Sequence, residues 1–132
     1  MNNKQNFFRV VTLVVAIFSM QTVTGREMLR INENENAKTI SLELGETFEV
    51  FLESNPTTGY QWVVDELEPS IMKQGESSFI RTLGVGSGGN HVFRFNSIAK
   101  GETVLRLSYQ RPFEANVAPL KSFKLNIVVK SN

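Results

Sequence analysis

The stretch "TFEVFLESNPTTGYQWVV", residues 47–64, holds two β-like runs and an unusual connection between them. Phe48, Val50 and Leu52 alternate with Glu49 and Glu53, so one face is apolar and the other charged. Phe51 breaks that alternation and is expected at the surface. Tyr60, Trp62 and Val64 share a face in the second run. Period-two alternation over such lengths indicates half-buried strands. A tight hairpin needs only two residues such as Asn-Gly, yet here Asn55-Pro56-Thr57-Thr58-Gly59 intervenes. Pro56 fixes its own φ and restricts Asn55 to extended backbone. Thr57 and Thr58 are β-branched and stiff at χ1. Gly59 permits a positive φ where the chain turns into Tyr60. Such a loop loses little entropy on binding. Spacing alone leaves a purely structural turn as an open alternative.

The same alternation recurs on both sides. "TISLEL" (39–44) aligns Ile40, Leu42 and Leu44; "TVLRLSY" (103–109) aligns Thr103, Leu105, Leu107 and Tyr109. "FKLNIVV" (123–129) aligns Phe123, Leu125, Ile127 and Val129, and "SSFIRT" (77–82) and "HVFRFNSI" (91–98) are further strand candidates. Only "EPSIMKQ" (68–74) suits a helical turn, with Pro69 at its first position. About seven to eight short strands separated by turn residues at intervals of roughly ten predict an all-β, immunoglobulin-like antiparallel sandwich. No Cys…Trp…Cys pattern is present, which argues against an antibody-type domain. Loops at the ends of a sandwich, rather than its sheets, are where function is expected.

The first 25 residues read differently. Lys4 and Arg9 precede the apolar run "VVTLVVAIFSM" (10–20), and "QTVTG" follows. This is the order of a secretory signal peptide, and the run is short for a bilayer span. The expected organisation is a signal peptide at 1–25 and one domain at 26–132, exported through the secretory route to the periplasm, a secretory lumen or the outside. The leader carries two of the 14 basic residues and none of the 13 acids, leaving 12 against 13. A nearly neutral domain has no basic footprint for nucleic acid. With no cysteine, the chain has no disulfide, thiol nucleophile or thiolate metal site.

Two further loops stand out. In "LGVGSGGN" (83–90), Gly84, Gly86 and Gly89 match G-x-G-x-x-G. A dinucleotide site is rejected, because that fingerprint requires a following helix and "HVFRF" reads as a strand. The glycines instead suit a flat loop that another backbone can approach. In "QRPFEANVAP" (110–119), Arg111 offers a planar donor array, Pro112 fixes direction, and Phe113 is either an exposed anchor or a core residue. Arginine and aromatic residues are frequent binding hot spots.

"NPTTGYQW", the run Gly86-Ser87-Gly88-Gly89, and Arg111-Pro112-Phe113 occur in this order in a cysteine-free β domain. Together they resemble the chagasin family, inhibitors of papain-like cysteine peptidases. The resemblance spans about Leu29 to Val129. It implies an immunoglobulin-like sandwich whose three motif loops form a wedge at one end. It further implies that Asn55, Pro56, Thr57, Thr58, Gly59 and Tyr60 cover the peptidase's catalytic pair, with Thr57 and Thr58 deepest. Gly86, Ser87, Gly88 and Gly89 would line one side of the cleft, and Arg111, Pro112 and Phe113 the other. The family's third motif usually carries Trp where this chain has Phe113, so the ring is smaller and lacks the indole N–H. The implied action is reversible, competitive inhibition by a protein that is monomeric when free, needs no cofactor or metal, and contacts no membrane once the leader is removed.

An enzyme is the first rival reading. His91 is the only histidine, and Ser87 lies four residues from it, but nothing marks an orienting acid or an oxyanion hole. Metal binding would rest on His91 and scattered acids without ligand spacing. The remaining alternative is a secreted immunoglobulin-like binding or adhesion module with no inhibitory activity.

Overall fold

The computed structural model describes residues 28–84 and 88–131, and the expected signal peptide lies outside them. Eight strands form two four-stranded sheets packed face to face. They are β1 (Leu29–Asn32), β2 (Thr39–Glu43), β3 (Thr47–Ser54), β4 (Gln61–Glu66), β5 (Met72–Arg81), β6 (Gly89–Ser97), β7 (Gly101–Gln110) and β8 (Lys121–Lys130). One sheet has the order β1-β3-β6-β5, the other β2-β8-β7-β4. The all-β sandwich expected from the alternation is therefore what the chain forms.

The core follows from that alternation. Phe48, Val50 and Leu52 of β3 and Phe93 and Phe95 of β6 face Leu105, Leu107, Phe123, Leu125 and Ile127 of the other sheet, and all are buried. Phe48 sits opposite Phe95 in the β3–β6 register, and their ring centroids are 5.5 Å apart. Phe51, on the outer face, is half-buried, with the Arg30 guanidinium 5.8 Å from its ring centroid. Leu44, aligned with Ile40 and Leu42 in the sequence, is 39% exposed. Strand β2 ends before it, at Glu43, and the chain turns at Gly45.

Three features depart from the pattern. Strand β1 has no counterpart in the sequence reading: it is four residues long and buries only Ile31. It pairs parallel with β3, and β2 pairs parallel with β8, while the other pairs are antiparallel. Parallel neighbours need a crossover, and β2, lying in the opposite sheet, supplies the one between β1 and β3. The helical turn expected at 68–74 is confined to its start, where the amides of Ile71 and Met72 both donate to the Glu68 carbonyl. Met72 then inserts into the core and opens β5, which pairs with β6 in two registers around Gly75 and Glu76. That irregularity hides the first half of β5 from a period-two reading.

Candidate functional site

The pairing register places three connections at one end of the sandwich. Ser54 at the end of β3 and Arg81 at the end of β5 both pair with Gly89 at the start of β6. In the other sheet Gln61 pairs with Gln110, and Tyr109 with Lys121. The connections β3–β4, β5–β6 and β7–β8 therefore emerge side by side, and these are the segments singled out by sequence.

The first loop is a single 3-10 turn, Pro56–Thr58, capped by Asn55 and closed by Gly59. The Asn55 side-chain oxygen accepts from the Thr57 amide at 3.3 Å and from the Thr57 hydroxyl at 2.6 Å. The Thr58 hydroxyl donates to the Asn55 carbonyl at 2.7 Å and accepts from the Tyr60 amide at 3.3 Å. The Asn55 carbonyl also accepts from the Thr58 amide, and the Pro56 carbonyl from the Gly59 amide, each at 3.1 Å. Both threonine hydroxyls are thus spent inside the loop, while Pro56, Thr57 and Thr58 themselves are exposed. What they present outward is largely methyl and ring surface on a frame of short-range hydrogen bonds. Gly59 adopts φ +84°, and a Cβ there would lie 3.1 Å from the Phe113 ring. Backbone geometry and the approach of Phe113 both call for glycine.

In the second loop, Gly86 and Ser87 lie outside the described residues, while Gly88 and Gly89 are placed. A Cβ on Gly88 would collide with the Ser54 carbonyl oxygen and lie 3.1 Å from Asn55 Cα. Gly89 is buried in β6, and a Cβ there would collide with the Ile80 carbonyl oxygen. The backbone that these glycines admit is the protein's own: they let the second loop close against the base of the first. The segment that follows is strand β6, which removes the helix a dinucleotide site requires.

The third loop leaves β7 at Arg111. The Arg111 Nε donates to the Thr58 carbonyl at 3.1 Å, and its guanidinium lies 4.4 Å from the Tyr60 ring centroid. One Nη donates to Glu114 at 3.0 Å. Pro112 is exposed, and Phe113 is 73% exposed, lying outside the core and against Gly59. Of the two placements left open for Phe113, the structure has the exposed one. Arg111 is only partly exposed and already engaged, so much of its donor array holds the neighbouring loop.

Two positioning residues were read from sequence only as core. The Tyr109 hydroxyl accepts from the Asn55 amide at 2.9 Å, and the Trp62 indole N–H donates to the Glu53 carbonyl at 2.8 Å. The available signal was general: a buried Tyr or Trp needs a partner for its polar atom. His91 stacks on Phe93 with centroids 4.2 Å apart, and burial pushes its pKa below the ordinary histidine value. It is part of the wall between the sheets. Among the described residues no group of three or more His, Cys, Asp or Glu is arranged to hold a metal ion.

Comparison with known proteins fits this geometry. Residues 41–127 match the family described as "Chagasin family peptidase inhibitor I42". The chain belongs to the chagasin family. Within that family it is 33% identical to amoebiasin-1 of Entamoeba histolytica over 103 residues, which is 77% of this chain and all of that one. It is 29% identical to chagasin of Trypanosoma cruzi over 90 residues, covering 64% of this chain and 82% of chagasin. The solution structure of amebosin aligns with a TM-score of 0.66 at 30% identity, over 80% of this chain and all of that one. A crystal structure of a cysteine protease inhibitor from Entamoeba histolytica aligns at 0.73 over the same shares, with 22% identity, and shares the fold. Membership in the chagasin family makes this chain a peptidase inhibitor and sets aside both the enzyme and the adhesion module.

Proposed function

We propose that the protein inhibits papain-like cysteine peptidases reversibly and competitively by seating the Asn55–Tyr60 loop over the catalytic pair, flanked by the second and third loops. The observation that carries this reading is the closure of the turn by hydrogen bonds to its carbonyls. Those of Asn55, Pro56 and Thr58 are each held by a hydrogen bond within or beside the turn. Cleavage needs a carbonyl held close to the nucleophile in attack geometry. These bonds hold the turn closed, so bringing a loop carbonyl into attack geometry would require the turn to open, and the loop blocks the cleft without being cut. The exposed tip carries no charge, so its desolvation costs little beyond that of its few polar atoms. Phe113 adds an apolar ring beside it, and a typical specific complex buries about 1,600 Å² in all.

The same reading takes residues 1–25 as a leader removed on export, leaving a free monomer from about Arg26 onward. The charged, apolar, then small-residue order of the leader supports it. N-terminal mass analysis of the exported protein tests that part, and an intact Met1 contradicts it. The inhibitory reading is tested by assaying residues 26–132 against a panel of papain-like enzymes with a fluorogenic substrate. Inhibition relieved by excess substrate is the expected result; undiminished activity across the panel rejects it.

A further inference from the structure

Strand β7 ends beside the inhibitory loop and delivers two side chains to it. Arg111, in the third motif, takes the carbonyl near the loop's end. Tyr109, two residues earlier and outside every motif, takes the amide at its start. Tyr109 is 6% exposed, and its ring packs against those of Tyr60 and Trp62 at centroid distances of 5.3 Å and 5.1 Å. A buried ring packed against two others has little freedom, so the position of its hydroxyl is set by the core. That hydroxyl meets the amide of Asn55, the residue on which the loop's own hydrogen bonds converge.

We infer that Tyr109 is a positioning residue of the inhibitory loop, acting at its base as Arg111 acts at its tip: its hydroxyl transmits the rigidity of the sandwich core to Asn55 and so fixes the height and tilt of the Pro56–Thr58 turn. Without that bond the loop keeps its internal hydrogen bonds and the Arg111 contact at its tip, but its base is freer to pivot as a unit. Trp62 holds the neighbouring Glu53 carbonyl, which anchors the strand below the pivot and leaves Asn55 as the hinge. A loop in the binding-competent pose for only a fraction of the time binds more weakly by that fraction. The loss should fall on association, because the complex, once formed, has the same contacts. This inference rests on the inhibitory reading of the loop, but part of its test does not.

The variant is Tyr109→Phe in the mature protein, which keeps the ring and removes only the oxygen. One hydrogen bond of this kind corresponds to a population change of about threefold to tenfold. In the free protein, hydrogen exchange of the Asn55 amide should quicken by about that factor, while the amides of Thr57, Thr58 and Gly59, bonded inside the turn, and those of β3, β7 and β8 stay unchanged. Against papain, the association rate should fall by a similar factor, with dissociation within about twofold of the parent. Unchanged exchange at Asn55 overturns the inference, and faster exchange at Thr57, Thr58 and Gly59 contradicts movement as a unit. Faster exchange throughout the sheets also overturns it, because the hydroxyl would then serve the fold alone. A slower loop association with a matching rise in dissociation contradicts the pivot. If the parent protein inhibits no member of a papain-like panel, the inhibitory reading falls, and the exchange measurement still decides whether Tyr109 positions the loop.

Discussion

Arg111 Nε reaches the carbonyl oxygen of Thr58 at 3.1 Å, so the third loop holds the tip of the first. The guanidinium lies over the Tyr60 ring and pairs with Glu114 at the same time. A residue that sequence alone assigns to a partner therefore has a role before any partner arrives.

Arg111→Ala should accordingly weaken inhibition and also cost some stability, about 1 kcal/mol for half-exposed contacts of this kind. Arg111→Lys should behave more like Ala than like the parent. A compact ammonium cannot reach Thr58 and Glu114 together while also lying over the Tyr60 ring. Thermal melts paired with inhibition constants for the two variants check this.

Phe113→Ala separates the two roles. Its ring is 73% exposed, so stability should change by under about 0.5 kcal/mol, while truncation of an aromatic anchor should remove about 2 kcal/mol of binding. Phe113→Trp should bind at least as tightly, because the larger ring adds area and an N–H donor. A drop of many degrees in Tm for Phe113→Ala would contradict its placement outside the core.

Gly88→Ala should do the reverse and act first on the fold. The new Cβ would collide with the Ser54 carbonyl, and relief requires the first and second loops to separate. Overpacking of this kind costs about 1–3 kcal/mol, and each kilocalorie lowers Tm by about 4–8 °C in a domain of this size. Calorimetry of the variant checks it, and an unchanged Tm contradicts the close approach.

Acid should weaken the fold partly through His91. Burial lowers its folded pKa below the unfolded value of about 6.5, so the unfolded chain binds the proton more readily. The stabilisation is fully present above the unfolded pKa and is lost as pH falls through the folded one. In His91→Phe the part of the pH dependence of stability that sets in as pH falls below the ordinary histidine value of about 6.5 should flatten. Urea titrations at several pH values read this directly, and an identical slope in the variant contradicts it.

The sandwich was legible because its central strands alternate cleanly: every second residue of "FKLNIVV" and "TVLRLSY" faces one side, and most of those are buried. Strand β1 was not, because four residues with one buried side chain give no period to count. The start of β5 was obscured by Pro69 and by the bulge at Gly75 and Glu76. At the site, Pro56 and Gly59 announced a stiff turn through backbone restriction, which is local and readable. The links that join the loops are non-local. Tyr109 meets Asn55, and Arg111 meets Thr58, across more than fifty residues of chain, and no spacing rule encodes such a pairing.

The central claim is that the closed turn at Asn55–Gly59 plugs a peptidase cleft, and Thr58→Lys tests it most directly. Thr58 is exposed in the free protein, so a lysine there points into water, and the loss of the hydroxyl bridge to Asn55 and Tyr60 should cost about 1 kcal/mol of stability. In a complex the ammonium would enter a narrow, desolvated cleft unpaired, which costs several kcal/mol, and each 1.4 kcal/mol is about tenfold in Kd. The measurement is the inhibition constant against papain for parent and variant, with a thermal melt of each. The account predicts a folded variant whose inhibition is at least about a hundredfold weaker. A folded variant that inhibits as well as the parent would contradict it.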